Sequence, residues 1–358
     1  MNLELIQALA TENSDPCVTI SMKTYRTHPD NLKDSIQLKN HLSEAKQRLL
    51  SEFDKKSIHD LLEKIDEIES EINLNYSLDS LHIYLSNDIK QIIKSPWTIK
   101  KDSVHIADKF DITPLLKAYN RTEEYYILLL SQSGVKLYHA INDSIQSEME
   151  NDDFPFSENP YYSTNAAENS DSKKEDNLVK EYFNTVDKAL VRINNVFPLK
   201  CVVIGTEDNY AKLLQVADIP SIYSGYASIN YNDVAPNTLA KDAWEKIQEN
   251  QKSSRHHAIE TMQEAVCKGN VLTDVAEIYK AAKEGRGDLL IVHESFSQAV
   301  KMTGDYTFDI VENEDEDNDA EDITGAIAWE VFSKKGQVIF TNDDEIKNLG
   351  PIALKVRY

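Results

Sequence analysis

Four short apolar runs constrain this chain more than anything else in it: CVTISM at 17–22, YYILLL at 125–130, KCVVIG at 200–205 and DLLIVHE at 288–294. Each is too brief for a buried helix and is bounded by polar or turn-forming residues, so each reads as a strand. Between them lie longer segments whose apolar residues recur at helical spacing. A chain that alternates in this way belongs to the α/β class. At roughly 100–200 residues per domain, 358 residues make two or three domains. We place three α/β modules at 1–121, 122–258 and 259–358.

In the first module, 17–22 alternates apolar and polar side chains, which predicts a half-buried strand. After Pro29-Asp30, residues 34–53 carry Ile36, Leu38, Leu42, Ala45, Leu49 and Phe53, and residues 58–72 carry Leu61, Leu62, Ile65, Ile68 and Ile72. Both predict amphipathic helices, paired as a hairpin. LDSLHIYLSND at 78–88 then returns as a strand. The second module opens with a β-hairpin turning at Ser131–Gly134, continues through a polar stretch at 151–176, and forms a helix over 178–193. KCVVIG follows as a buried strand. A further helix covers 237–251, with Asn237 or Thr238 as its N-cap. The third module has helices at 258–269 and 274–285, closed by Gly269 and Gly285, then the buried strand at 288–294. Residues 309–322 hold nine acids and no base, a pattern that predicts a solvated loop. Residues 325–341 and 351–358 supply a helix and closing strands.

Several function classes lose their signatures. Only ten glycines are present, and none lies between Gly134 and Gly205. No GxGxxG, GxxxxGK[ST] or GxSxG motif exists. Cys17, Cys201 and Cys267 are far apart, which predicts buried reduced thiols rather than a disulfide or metal framework. With six residues as its longest apolar stretch, the chain is expected to be cytoplasmic, with no membrane partner. The formal charge of −23 argues against a generally basic nucleic-acid binder. The charge is uneven, however: −3 in 1–121, −9 in 122–258 and −11 in 259–358. RNA would meet least repulsion at the first module.

Within that module, KQIIKSPWTIKK at 90–101 has four lysines, no acid and a central tryptophan. Lysines neutralise phosphates and an indole stacks on an exposed base, so Lys90, Lys94, Trp97, Lys100 and Lys101 are candidate RNA contacts. The alternative is a solvated turn with Trp97 packed inward. No HExxH is present, and the adjacent His256 and His257 diverge on a helix, so no metal site or cofactor is expected.

The ordered set of CVTISMKTY, the helix at 34–49, EEYYILLLSQSGVKLYHA, EYFNTVDKAL leading into KCVVIGTEDNYAKLLQ, DVAEIYKAAKEGRGDLLIVHESF and GQVIFTNDDEIKNLGPIALKVRY resembles the bacterial archaeo-eukaryotic release factor family, within the release factor and Pelota superfamily. The resemblance covers nearly the whole chain. It implies an RNase H-like middle domain and an L7Ae-like last domain. It also implies the ribosome, through rRNA and ribosomal proteins, as partner, with a translational GTPase as a further one and no small-molecule substrate. Release factors of this superfamily carry a Gly-Gly-Gln loop in the middle domain. The corresponding stretch here, 151–176, contains no glycine. Gly336-Gln337 lies in the last module and is no substitute. Side-chain-bearing residues resist the conformations that glycine adopts, so peptide release is not carried over. Ile93-Lys94-Ser95 copies part of a decoding tetrapeptide, but its neighbours do not match.

The resemblance therefore implies a non-catalytic factor that binds the ribosomal A site, of the rescue or hibernation type. Tyr161, Tyr162, Lys173 and Lys174 of the long middle loop would face the catalytic centre. Two other readings stay open. One is a metal-dependent hydrolase or nuclease on the RNase H-like middle module, using Asp187, Glu207 and Asp208. The other is a scaffold whose acidic run at 309–322 binds a basic partner.

Overall fold

The computed structural model describes residues 3–131, 134–157, 172–228, 236–311 and 321–358, with backbone alone at 172–175 and 321. The protein is α/β, with several sheets in separate modules. It divides into two compact units. One combines Met1–Arg121 with Ile259–Tyr358; the other is Thr122–Ala258.

The first segment contains α1 (Leu3–Thr11), β1 (Cys17–Lys23), α2 (Asp34–Glu52), α3 (His59–Glu71), β2 (Ser80–Leu85), β3 (Lys90–Ser95), β4 (Ser103–Ala107) and α4 (Thr113–Arg121). Its strands form an antiparallel sheet in the order β3-β2-β1-β4. Val18, Ile20, Met22, Leu81, Ile83 and Leu85 line one face and pack on the apolar stripes of α2 and α3. Ile36 is not part of that stripe: two residues from Leu38, it points away and is 63% exposed. The opposite face carries Thr19, Ser21, His82 and Tyr84, which are also buried. The expected half-exposed strand is therefore corrected. Alternation in β1 separates an apolar interior from a polar one, because the polar face is covered by the rest of the unit.

That cover comes in part from the last segment. It contains β10 (Val271–Leu272), α8 (Val275–Lys283), β11 (Gly287–His293), β12 (Ala299–Gly304), β13 (Thr307–Ile310), β14 (Glu321–Asp322), α9 (Ile323–Ser333), β15 (Gln337–Thr341) and β16 (Ile352–Val356). The main sheet runs β10-β16-β11-β15, with β11 and β15 parallel, beside a small β13-β12-β14 sheet. Ile6, Leu9, Tyr84, Phe110 and Leu115 share one core with Ile278, Leu290, Val292, Ile327 and Phe340. Tyr84 meets Phe110 edge-on, with ring centroids 5.5 Å apart. Of the acidic run, 312–320 lies outside the described residues; Asp322 caps α9 by accepting from the Thr324 N–H at 2.9 Å.

The other unit holds β5 (Glu124–Leu130), β6 (Val135–Ile141), β7 (Ser144–Glu148), α5 (Ser172–Val196), β8 (Lys200–Ile204), α6 (Glu207–Val216) and β9 (Tyr223–Ala227), and α7 runs over Pro236–Val266. Its sheet is ordered β7-β6-β5-β8-β9, antiparallel through β5, β6 and β7 and parallel through β5, β8 and β9. Tyr126, Leu128 and Leu130 pack on Tyr182, Phe183 and Val186 of α5, whereas Tyr125 and Ile127 pack on Leu239, Ala243 and Ile247 of α7. Burial on both faces explains why β5 and β8 are continuously apolar. The two helices expected at 237–251 and 258–269 are one. No glycine or proline interrupts the chain between Pro236 and Gly269, and the polar linker between the stripes is compatible with a helix. Asn237 and Thr238 consequently lie inside the first turn. Cys17 and Cys201 are buried as expected, while Cys267, beyond the apolar stripe of α7, is exposed.

Candidate functional site

Helix α4 organises the deepest chemistry in the Met1–Arg121 and Ile259–Tyr358 unit. Asp111 caps it, accepting from the Thr113 N–H at 2.9 Å, and Leu115, Leu116 and Ala118 anchor it in the core. The Asn120 side chain completes the edge of β15. Its amide donates to the Val338 carbonyl at 2.7 Å, and its oxygen accepts from the Phe340 N–H at 3.1 Å. So fixed, α4 presents Thr113, Lys117 and Arg121, four residues apart, along one side of a cleft of about 240 Å³. The turn Trp97–Lys101 and the loop Glu294–Ser297 form the other walls. A broader cleft of about 680 Å³, reaching His41, Arg48, Lys283 and Trp329, adjoins it through Lys101, Asp111 and Asp322.

The cleft is charged but ordered. The Arg121 guanidinium forks onto both Glu294 carboxylate oxygens and lies 5.5 Å from the Trp97 ring centroid. Lys100 Nζ donates to the Glu294 carbonyl at 3.0 Å. Lys117 is different. Its half-buried ammonium lies 5.7 Å from the Phe340 ring centroid and makes no hydrogen bond or ion pair among the described residues. Burial pushes its pKa below the ordinary lysine value, against the opposing pull of Asp322 and Asp111.

Beneath these groups, Ser80 Oγ donates to the Trp97 carbonyl at 2.7 Å. Ser80 must then accept from His82 Nε2 at 2.9 Å, which leaves Nδ1 to accept from Ser21 Oγ at 2.9 Å. His82 is thus a neutral imidazole in its Nε2–H form, with burial holding its pKa down at about 4.

The lysine-rich strip is split by this architecture. Lys90 and Lys94 sit on β3, on the face that carries α3. Lys90 pairs with Glu67 at 2.9 Å and Glu71 at 2.7 Å. Lys94 donates to the carbonyls of Asn73 and Tyr76 at 2.7 and 3.0 Å. Trp97, Lys100 and Lys101 instead line the α4 cleft. Lys117 and Arg121 escaped sequence reasoning, although their spacing in TPLLKAYNR was a usable signal. In the middle loop, Tyr161 and Tyr162 lie outside the described residues. Lys173 and Lys174 fall in the first turn of α5, and their side chains are likewise outside the described residues.

The three acids considered for a nuclease are not clustered into a metal site. Asp187, fully buried on α5, accepts from the Tyr223 hydroxyl at 2.6 Å and the Asp218 N–H at 2.8 Å. Asp208 pairs with Lys212 at 2.9 Å, while Glu207 is exposed at the start of α6. Asp187 is therefore a structural acceptor that joins α5 to β9. Asp187→Asn is expected to destabilise the unit by about 2 kcal/mol, because its amide turns a donor toward the Asp218 N–H or the Tyr223 hydroxyl. A lower urea midpoint checks this; an unchanged midpoint refutes it.

Residues 124–286 match the model of the bacterial archaeo-eukaryotic release factor family 3. Among solved structures, the chain is similar to the archaeal translation termination factor aRF1, at 13% identity over 99% of this chain and 96% of that one, with a TM-score of 0.26. It is also similar to Archaeoglobus fulgidus Pelota, at 13% identity over 78% and 79%, with a TM-score of 0.38. A third is S. cerevisiae Dom34, a translation termination-like factor that interacts with Hbs1, at 15% identity over 80% and 75%, with a TM-score of 0.38. No curated protein matches. No described helix is long and apolar enough to cross a membrane.

Proposed function

We propose that this protein is a cytoplasmic, ribosome-binding factor of the release-factor type that has no peptide-release chemistry. The observation that carries this reading is a match to the family 3 release-factor model at 124–286, in a stretch whose segment between β7 and α5 holds no glycine. Without glycine, that segment lacks the backbone freedom of a Gly-Gly-Gln tip. On this reading the protein occupies the A site, as a rescue or hibernation factor does, alongside rRNA, ribosomal proteins and a translational GTPase. The RNase H-like middle module, carrying Tyr161, Tyr162, Lys173 and Lys174, would face the peptidyl-transferase centre, and the L7Ae-like last module would contact ribosomal protein.

The rRNA contact we assign to Trp97, Lys100 and Lys101, with Lys90 and Lys94, on the sheet face that carries α3, as secondary contacts. Lys90, already neutralised by Glu67 and Glu71, contributes least. The test is co-sedimentation with ribosomes across a salt series, together with a peptidyl-tRNA hydrolysis assay. The protein is expected in the ribosomal fraction at low salt and to release no peptide. K100A/K101A should weaken association and lower the logarithmic salt slope by about 1–2. Absence from ribosomes at low salt, or release of nascent peptide, would overturn the reading.

A further inference from the structure

The α4 cleft contains more positive charge than its own structure consumes. Four cations, Lys100, Lys101, Lys117 and Arg121, line it against three carboxylates, in a protein whose net charge is −23. Each carboxylate is already engaged: Glu294 by the Arg121 fork, Asp322 by the N–H groups of Thr324 and Gln298, and Asp111 by the Thr113 N–H. Two donors are left over. One is the Lys117 ammonium. The other is the remaining terminal NH2 of Arg121, because the Glu294 fork uses the Nε and the other terminal nitrogen. One helical turn apart on α4, both line the same 240 Å³ cleft.

We propose that this cleft binds a small phosphate-class anion, either inorganic phosphate or the phosphoryl end of a small phosphomonoester, between Lys117 and Arg121. The volume lies below the range of pockets that hold drug-sized ligands, so the organic part is small. An ammonium supplies a point charge and a guanidinium edge supplies directed donors, the pairing that phosphate oxygens take. The desolvated state of Lys117 fits this role, since an anion alongside relieves the burial of its charge. The inference does not depend on ribosome binding.

The test is calorimetric titration of the full chain with inorganic phosphate and, separately, glycerol 3-phosphate, against chloride at matched ionic strength. Saturable binding is expected in the millimolar range or tighter. Tighter binding of glycerol 3-phosphate identifies a phosphomonoester; equal binding identifies the free anion. Lys117→Met should weaken binding by about tenfold or more, and Lys117→Arg should keep most of it. A second measurement needs no variant: phosphate should slow acylation of Lys117 in the unmodified protein while leaving exposed Lys56 unaffected. No saturable heat with either ligand, or unchanged acylation of Lys117, overturns the proposal, as does a folded Lys117→Met that binds like the parent.

Discussion

Gly325→Ala is expected to destabilise the unit that contains α4 and α9 by about 3 kcal/mol, the upper end of what added volume costs in a packed interior. Helix propensity alone argues the opposite. Gly325 sits in the first turn of α9, where alanine is favoured by up to about 1 kcal/mol. Packing overrides this preference. A Cβ on Gly325 would stand 2.1 Å from Thr113 Oγ1, 3.2 Å from Thr113 Cβ and 3.4 Å from Thr113 Cα. Thr113 is buried in the first turn of α4 and has no long side chain to swing aside. Its Oγ1 has no hydrogen-bond partner, so removing it alone should change little.

The pair therefore makes a double-mutant cycle. Thr113→Ala is expected near neutral and Gly325→Ala strongly destabilising. The double variant should recover most of the loss, because the closest contact is gone. Denaturant midpoints of the four proteins check this. An additive double variant would show that the two helices do not meet through these residues.

This contact also shows what the sequence could and could not convey. Elements whose signal is local were legible. The β5–β6 hairpin was visible in two apolar runs around a Ser-Gly turn, α2 and α3 in their stripes, and α8 in the helix closed by Gly285, whose φ is +73°. What failed was set by distant partners. β1 and β2 alternate like strands with a wet face, yet His82 and Ser21 are buried, at the base of a cleft they share with the distant loop Glu294–Ser297. β3 read as a possible turn, since an edge strand with two lysines has no apolar run to announce it. Lys90 looked available because its counterions, Glu67 and Glu71, lie on another element. Composition singled out Trp97, Lys100 and Lys101, which line the α4 cleft. Their assembly with Lys117, Arg121 and Glu294 depends on Asn120 holding α4 against β15, a contact no local pattern encodes.

Acidification should destabilise the same unit through His82. In the folded protein its pKa is about 4, against 6.5 for the unperturbed group, so between those values the unfolded chain binds more protons than the folded one. Unfolding stability therefore falls as pH drops from 6.5 toward 4, and this contribution levels off below 4. At about 1.4 kcal/mol per unit, the loss from this residue amounts to about 3 kcal/mol. The cause is desolvation, with Asp111 opposing it, and the side chain is 1% exposed, so solvent screens little of the effect.

His82→Gln retains polar atoms for Ser21 and Ser80 but cannot titrate. Across pH 7 to 4 the parent should lose about 3 kcal/mol more than the variant, read from urea midpoints that report on this unit. The imidazole can also be followed directly by NMR. Its ring protons should titrate near pH 4, and a midpoint near 6.5 would show that Ser21, His82 and Ser80 do not form the buried neutral chain that floors the cleft.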